Sequence, residues 1–204
     1  MRKIKSDEIR NIKYKVEIRS AVNNNDGTAT LEGYIAKFNS PTVLFSGYAE
    51  QIDPHAFDDT LKDGHNIFLL YAHDWTKPLA STGAGTLILE IDNIGLHFIA
   101  TVDTGVSYIA DVVALVKNGL IVGCSFGFSI IDDKETYDSN TDTITDTLTQ
   151  ICLYEGSILS DPQYTDTTVS ARAKLKKVDI EKEKDRKNEQ RKLRKKKLEL
   201  ELDL

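Results

Sequence analysis

The stretch 123–128, Gly-Cys-Ser-Phe-Gly-Phe, contains a serine with very small neighbours on its own side of the chain. In an extended segment successive side chains alternate between two faces, so Ser125 shares its face with Gly127 and Ser129. The opposite face carries the core-forming side chains Cys124, Phe126 and Phe128. The spacing therefore predicts an accessible hydroxyl that another group can approach. The alternative is a serine beside glycines that mark a bulge or a tight bend.

A serine hydroxyl becomes a nucleophile when a base takes its proton, and that base is usually a histidine oriented by a third group. The chain has four histidines. His73 follows the apolar run 66–72 and precedes Asp74, which predicts a buried strand that ends in a turn. A strand end suits a working imidazole. The other three are expected to be surface or structural histidines: His55, His65 and His97.

Glu155 lies in the last apolar segment, 148–159, where it shares a face with Leu153 and Ser157. Burying a carboxylate without a partner is costly, so Glu155 needs one. The partner is either a lysine or arginine in a structural ion pair, or the Nδ1 proton of His73 in a Ser-His-acid relay. The spacing alone leaves both possibilities open.

Two further interpretations compete with a serine relay. A cysteine hydrolase would use Cys124, but its side chain is expected to point away from the Ser125 face, among phenylalanines. A non-enzymatic β-barrel module that binds a partner or scaffold would need no nucleophile at all. Replacing Ser125 would then leave the protein's behaviour unchanged.

Alternating and helical patterns predict the elements that position these residues. The one clear helix starts after a cap at Thr104 or Ser107 and closes at Asn118-Gly119, with an apolar stripe at i, i+3, i+4 and i+7. Asp53 and Pro54 predict a second, short helix that ends at Gly64. The segment 132–146 reads as a polar loop. The predicted strands are 13–21, 28–38, 48–52, 66–72, 86–91, 96–102, 120–129 and 148–159.

The length of 204 residues predicts one core domain, 1–173, and a charged helical or disordered tail, 174–204. The tail holds 13 Lys/Arg and 8 Asp/Glu, whereas the body holds 13 and 24. The tail mixes both signs and lacks aromatic residues for base stacking, so nucleic acid is not an expected partner. Two unpaired cysteines and the absence of a signal-like or membrane-spanning segment predict a soluble protein in a reducing compartment.

A set of short fragments, in this order, resembles the prohead (capsid maturation) serine proteases of tailed bacteriophages. The resemblance covers about residues 30 to 170. Its fragments are Glu32-Gly33-Tyr34 with Phe38-Asn39, Ile52-Asp53-Pro54 with Ala56-Phe57, Ala72-His73-Asp74 with Lys77-Pro78-Leu79, Ser125-Phe126-Gly127-Phe128, and Leu153-Tyr154-Glu155.

The resemblance implies a mainly β (α+β) fold, a closed antiparallel β-barrel flanked by helices and similar to the herpesvirus assembly proteases. It implies Ser125 as nucleophile, His73 as general base and acid, and Glu155 as third member, with no metal or cofactor. Two positions depart from the family pattern. Ala72 stands where family members usually have asparagine, and Gly156 stands where they have a β-branched residue.

The same resemblance implies partners and a location. The expected substrates are the major capsid protein, through its scaffold or delta domain, and the protease itself by autocleavage. A homo-oligomer is compatible with the sequence, and no membrane partner is expected. The expected location is the host cytoplasm, inside the assembling procapsid, or a bacterial cytoplasm for a prophage-encoded copy. The charged tail would then be a targeting or self-cleavable segment.

Overall fold

The computed structural model describes residues 10–14, 18–24, 26–160 and 186–187. These ranges contain eleven strands and one α-helix. The strands are β1 (Arg10–Tyr14), β2 (Ile18–Asn23), β3 (Thr28–Lys37), β4 (Thr42–Phe45), β5 (Tyr48–Ile52), β6 (Phe68–Tyr71), β7 (Asp74–Ser81), β8 (Leu87–Ile91), β9 (Gly95–Asp103), β10 (Gly123–Asp138) and β11 (Thr143–Leu159). The helix is α1 (Ser107–Lys117).

The strands form two sheets. The smaller is antiparallel, in the order β2-β3-β9-β8. The larger is built on the antiparallel hairpin β10-β11, with β1 on the outer edge of β10. On the other edge of β11, β5 pairs with residues 144–148 and β6 with residues 155–158, both in parallel. β4 and β7 complete this sheet beside β5 and β6.

The expected mainly β fold is confirmed, but the described strands do not form a closed antiparallel barrel. The 17-residue strand β11 is longer than its partners, so β5 and β6 follow one another in line along the same edge. The sheet consequently ends in two separate outer strands, β4 and β7, instead of closing on itself. Within the described part of residues 10–160, one helix, α1, accompanies the sheets, not several.

Alternating side chains of β10 form the core, as predicted. Cys124, Phe126 and Phe128 are fully buried. The ring of Phe126 lies 4.9 Å from that of Phe128 and 6.0 Å from that of Phe57, measured between centroids. Burying large aromatic side chains contributes strongly to the free energy of folding. The core therefore fixes which face of β10 Ser125 occupies.

Helix α1 follows the predicted pattern, with a buried stripe of Ile109, Val112, Val113 and Val116. The closing residues are also as predicted, since Asn118 is the C-cap and Gly119 follows with a φ of 68°. The predicted N-cap is wrong. Val106 occupies that position without a side-chain hydrogen bond, and the Thr104 hydroxyl instead donates to the carbonyl of Gly27.

The short helix expected at 53–64 is absent, and this segment is a series of turns. Its backbone bonds to β11 from the end of the β5 pairing onward. The amide of Asp53 donates to the carbonyl of Leu148, and the amide of Ile151, in the interval that β5 and β6 leave unpaired, donates to the carbonyl of Ala56. The hydroxyl of Thr60 accepts from the amide of Leu153 in the same interval. Isolated helical-type bonds remain, from the amides of Leu61 and Asp63 to the carbonyls of Phe57 and Asp59, but they do not form a continuous helix.

The loop expected at 132–146 is mostly an extension of the β10-β11 hairpin. β-branched threonines at 143, 145 and 147 favour extended backbone whatever their polarity. The two strands are paired out to Asp138 and Thr143, and most side chains of this arm are exposed.

The chain divides into two units, Met1–Thr165 and Asp166–Leu204. The predicted boundary at 173/174, and the tail beyond it except for 186–187, lie outside the described residues. No helix in the described ranges has the length and apolar character needed to cross a bilayer.

Candidate active site

His73 stands on a two-residue turn between β6 and β7. Tyr71 and Asp74 pair across the turn, and both central residues have positive φ, 53° at Ala72 and 60° at His73. A hairpin turn in which both central residues have positive φ matches the twist of its strands. At these two positions it favours glycine and asparagine over other residues. Ala72 is therefore strained by about 1 kcal/mol, and the turn needs support from its surroundings.

The imidazole of His73 is hydrogen-bonded to the carboxylate of Glu155. Nδ1 lies 2.7 Å from Oε1, and the side chains are 19% and 3% exposed. Of the two partners that the sequence left open for Glu155, the structure contains the histidine. With Glu155 ionised, the contact keeps the proton on Nδ1 and leaves Nε2 with a lone pair. That is the tautomer a general base requires.

The buried hydroxyl of Ser157 contacts both members of this pair. It donates to Oε2 of Glu155 at 2.6 Å and accepts from the backbone amide of His73 at 3.0 Å. One oxygen of the Glu155 carboxylate thus bonds to the ring of His73. The other oxygen bonds to Ser157, which in turn accepts from the backbone amide of His73. The alternating pattern predicts Ser157 on the face of Glu155 but indicates no role for it. Its position two residues after the carboxylate was the available signal.

Ser125 lies on β10 directly opposite Ser157, and Gly127 lies opposite Glu155. Ser125, Ser157 and Glu155 therefore share one face of the hairpin. The predicted accessibility is wrong, because Ser125 is fully buried. Nε2 of His73 is also buried and has no hydrogen-bond partner in the described part of the chain. A hydrogen bond from Ser125 to His73 is therefore not formed in this structure.

Asp74, the carboxylate next to His73 in the sequence, serves its own turn. Its Oδ1 accepts from the hydroxyl and the amide of Thr76, at 2.6 and 2.9 Å, and these bonds lower the pKa of the Asp74 carboxyl. Lys77 lies 3.6 Å from its other oxygen. The contact with the His73 ring thus belongs to Glu155.

The remaining histidines make contacts elsewhere. His55 pairs with Asp58 at 3.3 Å and is well exposed, which fits a surface residue. His97 lies 3.0 Å from Glu32, between β9 and β3. Nε2 of His65 lies 2.6 Å from the carbonyl oxygen of Leu153.

Cys124 lies on the core face of β10, away from the Ser125 face. Burial raises the pKa of its thiol to about 12. A thiol with a raised pKa is protonated at neutral pH, where only a thiolate attacks. These observations argue against Cys124 as the nucleophile.

We expect Cys124→Ala to retain the reactivity of the native protein to within about threefold per folded molecule, while unfolding at a lower temperature because a core cavity forms. Thermal melting and reaction with a serine-directed probe measure the two effects. A folded Cys124→Ala variant without reactivity would restore the cysteine interpretation.

Gly156 lies behind Glu155, on the face that packs against the second sheet. A Cβ at this position would stand 2.6 Å from Cδ1 and 3.0 Å from Cγ1 of Ile35, which is fully buried. The glycine is thus the complement of a large residue on β3. This contact accounts for a residue without a side chain at position 156.

We expect Gly156→Ala to lower the free energy of unfolding by about 1 to 3 kcal/mol through overpacking. Ile35→Val removes the closest clashing atom and costs about 0.5 to 1.5 kcal/mol by itself. Chemical denaturation of the double variant should show a smaller loss than the sum of the single variants. Simple additivity would mean that the two residues do not compete for the same space.

A comparison with protein-family models matches residues 14–186 to the family described as Caudovirus prohead serine protease. Comparisons with curated proteins and with solved structures gave no match. The expected likeness to herpesvirus assembly proteases therefore stays a prediction. The family match spans most of the chain and includes the strands and the turn that carry Ser125, His73 and Glu155. The chain belongs to the family of caudovirus prohead serine proteases.

Proposed function

We propose that this protein is a serine endopeptidase that cleaves capsid proteins during maturation of a phage procapsid. The observation that carries the proposal is the His73-Glu155 pair on the face of β10-β11 that also holds Ser125. A histidine held by a buried carboxylate, beside a strand serine, is the arrangement that activates a hydroxyl. Membership of the protease family supports the same reading.

In the proposed reaction, Oγ of Ser125 bonds to the scissile carbonyl carbon while Nε2 of His73 takes the hydroxyl proton. The proton then passes to the amide nitrogen, the C–N bond breaks and an acyl-enzyme remains. Water then attacks this ester while Nε2 of His73 takes one of its protons. His73 gives that proton to Oγ of Ser125 as the acyl C–O bond breaks, and the new carboxylate leaves. Glu155 stabilises the imidazolium that forms in both halves of the reaction.

The proposed substrates are the scaffold or delta segment of the major capsid protein and the protease itself. The proposed location is the interior of the assembling procapsid. Residues 174–204 are proposed as the segment that retains the enzyme there or is removed by self-cleavage.

One observation favours the second candidate, a non-enzymatic binding protein. Ser125 is fully buried and makes no hydrogen bond to His73 in this structure. Catalysis consequently requires a movement that exposes the hydroxyl and brings it to Nε2. A binding protein would require neither.

Covalent labelling distinguishes the two candidates. A biotinylated fluorophosphonate forms a P–O bond with an activated serine and releases fluoride. The probe is applied to the isolated protein and to cells that co-express it with the major capsid protein, and the adduct is located by mass spectrometry. We expect one adduct, on Ser125, together with cleaved capsid protein. Cleaved capsid protein without a Ser125 adduct, or no cleavage and no adduct, would contradict the proposal.

A further inference from the structure

We propose that Ser157 is a positioning residue that locks the general base onto its carboxylate. The inference rests on the proposed function and adds a fourth side chain to the relay of Ser125, His73 and Glu155. Ser157 does not contact the substrate in this proposal. It acts through the two residues that its hydroxyl touches.

The hydroxyl of Ser157 uses its donor and one acceptor site within the relay. It donates to Oε2 of Glu155 at 2.6 Å, and it accepts from the amide of His73 at 3.0 Å. Ser157 is fully buried, so water cannot replace either contact. A short hydrogen bond to an ionised acceptor is among the stronger contacts that a neutral side chain makes.

The contact to the backbone matters because His73 occupies a left-handed conformation. A residue with a side chain seldom holds a φ of 60° unless its surroundings fix it. The bond from the His73 amide to Ser157 ties the turn to β11, the strand that carries Glu155. β11 therefore holds both the backbone of His73, through Ser157, and its ring, through Glu155.

The contact to the carboxylate sets its rotation. With Oε2 held by Ser157, Oε1 is the oxygen that faces Nδ1 of His73, at 2.7 Å. Without the hydroxyl, the carboxylate can rotate, and this rotation weakens its hold on the imidazole.

Ser157 is also the cross-strand partner of the proposed nucleophile. Paired residues of antiparallel strands have Cβ atoms about 4.5 to 5.5 Å apart, and Ser125 pairs with Ser157. A change in the contacts of Ser157 would therefore alter the position of the base relative to the hydroxyl it must deprotonate. Small misplacements of this kind cost up to about 100-fold in rate.

The test measures fluorophosphonate labelling of the full chain as a function of probe concentration, which separates the maximal rate from apparent affinity. The variants are Ser157→Ala and Ser157→Cys, the second of which keeps the buried volume but only a weak donor. The matched control is Ser129→Ala, which removes a buried serine of the same hairpin that accepts from Tyr154. Proton NMR of the imidazole Nδ1–H of His73 provides a second readout that does not depend on turnover.

We expect both Ser157 variants to reduce the maximal labelling rate about 10- to 100-fold with unchanged apparent affinity, and to shift or abolish the Nδ1–H signal. Ser129→Ala should leave the rate and the signal as in the native protein. A Ser157 variant labelled as fast as the Ser129→Ala control would overturn the inference while leaving the proposed function intact. A native protein that forms no adduct on Ser125 would instead refute the function itself.

Discussion

Ser125→Ala is expected to abolish cleavage of the major capsid protein and self-cleavage, with a loss of about 10⁴- to 10⁶-fold. In the proposed mechanism, the substitution removes the atom that bonds to the scissile carbonyl. Cys124, the adjacent residue, lies on the opposite face of β10 with a protonated thiol. Co-expression with the capsid gene, followed by intact-mass analysis of both proteins, measures the effect.

The matched control for this variant is again Ser129→Ala. Both serines lie on β10 and are buried, at 0% and 2% exposure, so the two substitutions remove the same group from similar surroundings. The control should process the capsid protein normally. Persistent processing by a folded Ser125→Ala variant would reject Ser125 as the nucleophile.

Glu155→Gln is expected to reduce capsid cleavage by about 10²- to 10⁴-fold while the protein stays folded. In the native protein, Nδ1 of His73 lies 2.7 Å from Oε1 of Glu155. The amide of glutamine has nearly the shape of the carboxylate, so its oxygen can still accept from Nδ1. It has no negative charge to stabilise the imidazolium that forms when Ser125 is deprotonated. The rate per folded molecule, from labelling at saturating fluorophosphonate, is the measurement.

The chain contains a second glutamate-histidine contact that serves as the control. Nε2 of His97 lies 3.0 Å from Oε1 of Glu32, between strands of the other sheet. Glu32→Gln removes the same charge from the same kind of pair and should leave labelling unchanged. Equal effects of the two substitutions would show that loss of a carboxylate acts through stability and not through the relay.

Local patterns predicted the parts of the fold that local interactions determine. The stripe of α1 and the core face of β10 both follow from side-chain periodicity and are confirmed, whereas the opposite face of β10 is buried as well. The segment 53–64 carries good helix signals, yet its backbone bonds to the free interval of β11. That interval exists only because β5 and β6 are short and lie in line along β11. This arrangement joins distant segments, so no local sequence pattern predicts it.

The candidate site was predictable to a similar degree. Residue chemistry named Ser125, His73 and Glu155 as candidates and left the partner of Glu155 open, and the family resemblance implied their roles. Alternation placed the carboxylate and Ser157 on one face. The positive φ values at the His73 turn and the burial of Ser125 depend on packing between distant segments, so the sequence could not reveal them. The same limit applies to the hydrogen bond from the His73 amide to Ser157, because it joins residues 84 positions apart.

The complete burial of Ser125 determines how fast any reagent can react with it. If only a fraction of molecules exposes the hydroxyl at a given moment, every observed rate at Ser125 is the intrinsic rate multiplied by that fraction. Each 1.4 kcal/mol in the free energy of exposing the hydroxyl lowers the observed rate about tenfold. A binding partner that prefers the uncovered form would raise the observed rate by up to the reciprocal of the fraction, without altering a single reacting group.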